Sequence, residues 1–278
     1  MPIDSSHFRY LQDLASTRSG LRLEPRTAFL AEGRLLPLAQ EKGMSSVTEL
    51  IDQMEREPDD GVHHAAVQAL LPNDTAFFRD MHPFQALRTH VFKTLEMKRY
   101  AERRLTIWCA GCASGQEAYS VAMLIHCYFP QFLDWDLQLI ATDLSQEALN
   151  RAKEARYNDI ETHRGLPGML LRQYVRQDGR AFFIKEDVAR LVQFEELNLV
   201  EDWQGLPELD VVLLRNVLTH FSPETRKGVL AKVGRLLKPD GYLLLGANET
   251  TMDVDDEYKL VPTEKAVFYQ PCAQPVTA

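Results

Sequence analysis

Apolar positions in the first seventy residues recur three and four apart, the spacing of helices buried along one side. Phe8, Leu11, Leu14 and the pair Leu21/Leu23 form one such spacing, broken at Gly20. A second helix is predicted from Pro25 through Leu38, with Phe29, Leu30, Leu35 and Leu36 on its apolar side. Ser45 or Ser46 can cap a third, which carries Val47, Leu50, Ile51 and Met54 and ends before Glu57-Pro58-Asp59-Asp60-Gly61. A fourth covers about 62–71 and stops at Pro72. From about residue 104 the pattern changes to short apolar runs alternating with helical stretches. Leu105–Cys109, Leu137–Thr142 and Leu209–Leu214 read as strands, the last nearly all apolar as a central parallel strand should be. Helical stretches follow at about 117–128, after Ser145 with Ala148, Leu149 and Ala152, and after Ser222-Pro223, where a cap residue precedes an N1 proline. Pro239-Asp240-Gly241 reads as a turn, Tyr242–Leu245 as a strand and Ala266–Tyr269 as the last strand. Phe182–Ile184 and Leu191–Phe194, with a hairpin turn at Gln177–Arg180, interrupt the rhythm. The expected fold is a doubly wound α/β sheet with a small antiparallel insert at about 170–195, preceded by an all-α domain. The boundaries are a helical domain over 1–70, a linker and helix over 71–103, and the sheet domain over 104–278.

Length and charge narrow the function. The chain has 278 residues, close to two domains of ordinary size. Forty acidic residues against 31 Lys plus Arg give a formal charge of -9, which argues against a nucleic-acid partner held by bulk charge. No apolar run reaches the length of a membrane span, and the first residues lack a signal-peptide pattern, so a cytoplasmic, monomeric protein is expected. Four cysteines suit a reducing compartment. Cys109 and Cys112 have the spacing of a redox pair or half a zinc site, but no second ligand pair completes a zinc set. They read as two small buried side chains beside a tight turn, and no metal is expected. Arg18, Arg22, Arg26 and Arg34 stand out in an acidic chain as either a solvated face or a docking surface for an acidic partner.

Gly111-x-x-x-Gly115 follows the first strand and opens a helix, where glycine lets the backbone pass close to a ligand and the helix N-terminus favours negative charge. The loop is looser than a dinucleotide fingerprint, and Asp143, at the end of the second strand, lies 28 residues beyond Gly115. The pattern fits a nucleoside without a pyrophosphate, with Asp143 accepting from the ribose hydroxyls, and counts against a nicotinamide dehydrogenase. Asp143 could instead be a turn residue, and Glu117 a first-turn acid that favours the helix.

Seven segments carry a wider resemblance. They are Asn73–Arg79, Ala110–Ser120, Ala141–Leu144, Asn198-Leu199, Arg215–Leu218, Leu237–Gly241 and Gly246–Glu249. In this order the chain resembles the chemotaxis receptor glutamate methyltransferases over nearly its whole length. The resemblance implies a methyltransferase sheet and the cofactor S-adenosyl-L-methionine, with S-adenosyl-L-homocysteine as product. It implies transfer to glutamates on the cytoplasmic methylation helices of chemoreceptors, giving methyl esters. Asn73 and Thr75 would hold the methionine part of the cofactor or the nearby backbone, and Arg79 would reach the site and orient the substrate carboxylate. Gly111, Glu117 and Asp143 would bind cofactor, and Asn198-Leu199 and Arg215-Asn216 would lie near the adenine and the substrate opening.

Three departures from the family pattern bear on function. His220 stands where the family usually has tyrosine, five residues after the arginine matching Arg215. A neutral imidazole can still donate one hydrogen bond there, with greater sensitivity to pH. Gln116-Glu117 replaces the common pair of glutamates. The Gln177–Arg180 hairpin is shorter than in members that tether to a receptor pentapeptide, which implies action without that tether. Two other readings share these residues: a carboxyl methyltransferase with a non-receptor substrate, and a cofactor-binding regulatory or docking protein of reduced activity.

Overall fold

The computed structural model describes residues 3–57, 60–252, 254, 257–264 and 266–272. Four helices come first: α1 (Ser5–Ser19), α2 (Ala28–Glu41), α3 (Val47–Arg56) and α4 (Asp60–Leu70). Asp4 caps α1 by accepting from the N–H groups of Ser6 and His7, and Gly20 ends it in the left-handed region, at φ 72°. In α3 the pattern holds: Ser46 accepts from the Glu49 N–H, and Val47, Leu50, Ile51 and Met54 are buried. Of the apolar face expected for α2, Leu35 is buried and the rest is not. Pro25–Thr27 is a 3₁₀ turn, and the helix turns Ala31, Leu35, Leu38 and Ala39 inward. Phe29 is 68% exposed, and Leu30 and Leu36 also lie at the surface. Two of the buried residues are alanines, which a count of large apolar side chains passes over. Pro58 and Asp59, in the expected break after α3, lie outside the described residues, as does 273–278. These helices share a core cluster that includes Leu11, Leu35, Leu50 and Leu70.

The crossing at 71–81 leads into α5 (His82–Ala86), a π-helical turn at Leu87–Val91 and α6 (Phe92–Lys98). Then β1 (Arg104–Ala110), α7 (Gln116–Tyr128), β2 (Asp136–Asp143) and α8 (Gln146–Glu154) set the strand–helix alternation. The insert follows, with β3 (Arg156–Tyr157), α9 (Asp159–His163), α10 (Gly168–Tyr174), β4 (Val175–Asp178), β5 (Ala181–Ile184) and α11 (Glu186–Ala189). The chain closes with β6 (Val192–Glu196), β7 (Leu209–Leu214), α12 (Pro223–Leu236), β8 (Leu237–Leu245), β9 (Tyr258–Pro262) and β10 (Val267–Pro271).

The main sheet has the order β6-β2-β1-β7-β8-β10-β9, parallel from β6 through β8, with β10 antiparallel to both its neighbours. Side chains of β1 alternate between its faces, as the two-residue period requires. Leu105, Ile107 and Cys109 enter the core under α7, while Trp108 and Ala110 enter the core under α12.

Three expectations need correction. The insert is antiparallel, ordered β3-β5-β4, but it begins with Arg156 rather than near 170. Leu191–Phe194 was assigned to it, yet β6 pairs parallel with β2 and forms an edge of the main sheet. Both strands are short and apolar, and pairing direction is set by partners distant in sequence. Pro239-Asp240-Gly241 is not a free turn but a bulge carried inside β8, where the register against β7 jumps from Leu209↔Leu237 to Val211↔Tyr242. β9 gave no clear apolar run; Tyr258 alone of its residues is buried.

Candidate active site

In open parallel sheets, ligands bind beyond the carboxyl ends of the strands, where the strand order reverses. Here that point lies between β1 and β7. The loops after β1, β2, β6 and β7 open onto a cleft continuous with solvent and roofed by the 71–79 crossing and by Ser19 and Leu21 from the helical part. Every residue expected at a site lines this one cleft: Asn73, Thr75, Arg79, Gly111, Glu117, Asp143, Asn198, Leu199, Arg215, Asn216 and His220.

The floor is the glycine loop. Gly111 has φ 71°, and a Cβ there would stand 2.5 Å from Val217 Cγ2. Gly115 has φ 89°, and its Cβ would meet that of Ala152 at 2.9 Å. Asp143 fixes the loop's shape, one carboxylate oxygen accepting from the Ala113 N–H at 2.8 Å and the other from the Ser145 N–H at 2.8 Å. Burial pushes its carboxyl above the ordinary aspartate value, and these N–H bonds oppose that. Asp143 is therefore a turn-holding residue as well as a candidate ligand, since each oxygen keeps a further acceptor site.

Across the cleft, Arg215 joins three segments. One terminal nitrogen, Nη1, donates to Glu117 Oε2 at 2.8 Å, and Nη2 donates to Asp80 Oδ2 at 2.7 Å and to the Arg79 carbonyl at 3.1 Å. The guanidinium lies against the Phe84 ring, and its Nε is buried with no hydrogen-bond partner among the described residues. Burial pushes the Glu117 carboxyl up, and Arg215 then Arg79 pull it down. The Arg79 side chain is turned toward Asp74, donating from Nη1 to its carbonyl at 2.9 Å. Backbone strain collects at the site. Of seven non-glycine residues with positive φ among the described residues, Phe78, Asp80, Met81, Ala113 and Asn216 lie in its loops.

The helical part is tied to the same loops. The Asn198 amide donates to the Arg18 carbonyl at 2.7 Å and to Glu201 at 3.0 Å. Leu199 is buried in the core under α12. The Arg22 N–H donates to the His220 carbonyl at 2.7 Å, and Leu21 bridges antiparallel to Phe221. Gly20 permits this approach, because a Cβ there would stand 2.6 Å from Val200 Cγ1. His220 is half-buried in a short 3₁₀ turn at Leu218–His220. Burial pushes its imidazole below the ordinary value, Arg34, Arg226 and Arg79 push the same way, and Glu249 opposes them.

The family described as CheR methyltransferase, SAM binding domain, matches residues 73–267. The chain belongs to the CheR methyltransferase family. Similar proteins include the chemotaxis protein methyltransferase Cher2 of Pseudomonas putida, 32% identical over 96% of this chain and 98% of that protein. Chemotaxis protein methyltransferase 1 of Pseudomonas aeruginosa is 32% identical over 97% of this chain and 99% of that one. The chemotaxis protein methyltransferase of Salmonella typhimurium is 27% identical over 94% and 89%. Among solved structures, the glycopeptide N-methyltransferase MtfA complexed with sinefungin aligns over 63% of this chain and 52% of that one. Its identity is 14% and its TM-score 0.37, a likeness that carries no weight beside the sheet order itself.

As a CheR methyltransferase, the chain is an S-adenosylmethionine-dependent protein-glutamate O-methyltransferase. The cleft fits that cofactor: its glycines leave room a Cβ would fill, and a carboxylate waits at the end of β2. Cys109 and Cys112 are free, buried thiols pushed well above the ordinary cysteine value by desolvation, which suits packing rather than thiolate chemistry. Sequence reasoning missed two participants. Asp80 pairs with Arg215 from 135 residues away, and Glu249 bonds the loop carrying Asn216. Glu249 did lie inside a family-matching segment, and that was its only signal. Among the described residues, no helix is long and apolar enough to cross a membrane.

Proposed function

We infer that this methyltransferase esterifies glutamates on chemoreceptor cytoplasmic helices inside the cytoplasm, with its cleft residues dividing the work of holding cofactor and aligning the carboxylate. The convergence of eleven expected residues from five loop segments on one cleft carries this reading. S-adenosylmethionine, when bound, supplies a methyl carbon on a positively charged sulfur, so carboxylate attack forms the O–C bond as the C–S electrons return to sulfur and no proton moves. Asp143 would accept from the ribose hydroxyls, and Glu117 would face the cationic end of the cofactor. Leu199 would lie near the adenine, with Asn198 holding the loop around it. Asn73 and Thr75 would cover the cofactor from the crossing. A receptor glutamate is already ionised near pH 7. The protein must therefore desolvate and orient it, which is proximity and electrostatic work.

Arg79 is the orienting cation. It leaves the exposed Asp74 for the incoming carboxylate, which it can hold through two N–H groups. His220, kept neutral by burial and by the arginines around it, donates one hydrogen bond at the substrate mouth. Arg18, Arg22 and Arg26 are exposed, Arg26 beside its ion-pair partner Glu24, and would meet the acidic receptor helices without a pentapeptide tether. Mass spectrometry of receptor cytoplasmic fragments after incubation with enzyme and cofactor tests this. The expected result is a methyl increment on glutamate, lost when that residue is changed to alanine. Methylation of other side chains would contradict it.

A further inference from the structure

Glu249 lies in the loop after β8 and belongs to none of the cofactor-facing groups described above. Its carboxylate accepts from three backbone N–H groups. One oxygen takes those of Asn216 at 2.7 Å and Gly246 at 2.8 Å, and the other takes that of Thr219 at 3.0 Å. Two of these donors lie in the loop after β7, 30 and 33 residues away in sequence.

That loop needs holding. Asn216 sits at φ 59°, in the left-handed region, which asparagine enters more readily than other side chains but which the surroundings must still favour. Charge-assisted bonds to a carboxylate are suited to impose it. Three residues on, Thr219 is the middle residue of the short turn Leu218–His220, so the same carboxylate holds the start of the segment and the residue just before the imidazole. Val217, between the two anchors, is the side chain against which Gly111 is packed without room for a Cβ. Displacing this segment would move the substrate mouth first, since it carries His220, and would reach the cofactor floor only through the Val217 contact.

Gly246 shows that the space was made for this contact. Its φ is not in the left-handed region, so conformation does not demand glycine. A Cβ there would stand 2.7 Å from Glu249 Oε2 and 2.8 Å from the Asn216 nitrogen. Any side chain would expel the carboxylate or the loop.

We propose that Glu249 is a positioning residue for methyl transfer, a carboxylate clamp that fixes the Asn216–His220 segment against the glycine loop. The inference rests on the methyl-transfer reading of the cleft. Glu249 also bears on the charge of His220, whose other charged neighbours are Arg34 from α2, Arg79 from the crossing and Arg226 from α12. Glu249 alone among them favours the imidazolium. Removing its charge should therefore move the acidic limb of the pH–rate profile to lower pH.

The test compares wild type with Glu249→Gln and Glu249→Ala in full-length protein, measuring S-adenosylhomocysteine binding by calorimetry and labelled methyl transfer to receptor fragments from pH 5.5 to 8.5. In Glu249→Gln, kcat should fall about tenfold, 1.4 kcal/mol of barrier, with the acidic limb shifted down and product affinity changed less than kcat. Glu249→Ala should lose more kcat in the same direction. Gln variants with wild-type kcat and an unmoved limb would overturn the clamp, as would a loss of binding equal to the loss of kcat. Wild type that binds product but transfers no methyl would overturn the underlying reading instead, and with it this inference.

Discussion

At the scale of single residues, His220 carries the sharpest question. A half-buried imidazole with three arginines near it holds its proton less readily than one in water. It is neutral through the neutral range, and protonation enters only as pH falls below the ordinary histidine value of about 6.5. Activity that needs the neutral ring should therefore decline on the acidic side and stay level above it. His220→Tyr replaces a group titrating there with one whose ordinary value is about 10. The variant should retain or exceed wild-type kcat and flatten the profile below about pH 6.5, measured by initial rates with saturating cofactor. A fall of more than about tenfold would mean that the imidazole has a task a phenol cannot perform. The motif residues were legible because each type matches its chemistry locally: glycines where the backbone crowds Val217 and Ala152, an acid at the end of β2. Asp80 and Glu249 were not, because their roles come from partners brought near only by the finished sheet.

At the scale of elements, the sheet is braced at the end opposite the cleft. Arg99, just after α6, donates to Asp210 Oδ1 in β7 at 2.7 Å and to both oxygens of Asp240 in the β8 bulge. Asp210 is fully buried and also accepts from the Thr106 N–H of β1 at 2.9 Å, with Lys238 Nζ at 3.0 Å. Removing Arg99 leaves a buried carboxylate with half its charge compensation. Arg99→Ala should cost about 3–5 kcal/mol in denaturant unfolding, while the folded variant binds S-adenosylhomocysteine like wild type. Hydrogen bonds from Arg99 and Lys98 hold the Asp240 carboxyl down to about 2. Its contribution to stability is thus complete above the ordinary value of 3.8 and lost as pH falls toward 2, so acid unfolding of the Asp240→Asn variant should be less steep in that window. This brace explains the misread turn. Pro239-Asp240-Gly241 has turn composition, yet the ion pairs hold it within the strand. The α2 face and the parallel pairing of β6 escaped for a related reason, since neighbouring elements decided between faces and directions that the local pattern left equal.

At the scale of the whole molecule, the order of elements was readable from alternating periodicity, whereas the strand order and the attachment of the helical part were not. Asn198 to Arg18 and Arg22 to His220 make the end of α1 a wall of the cleft as well as part of a separate core. The overall charge of -9 opposes approach of an acidic receptor helix, so the proposed docking would depend on local arginines. Arg22→Glu combined with Arg26→Glu should raise KM for receptor fragments about tenfold and leave cofactor KM within about twofold. High salt should weaken the wild-type receptor interaction similarly, because these side chains are exposed and the screening length falls to about 3 Å at 1 M. An unchanged receptor KM in the double variant would remove the docking argument and leave the cleft untouched. The central claim is tested most directly by transfer of tritiated methyl from S-adenosylmethionine to purified receptor cytoplasmic fragments, followed by mild base. Label released as methanol from glutamate-containing fragments is the predicted result; tight binding of S-adenosylhomocysteine with no transfer to any receptor fragment would contradict it.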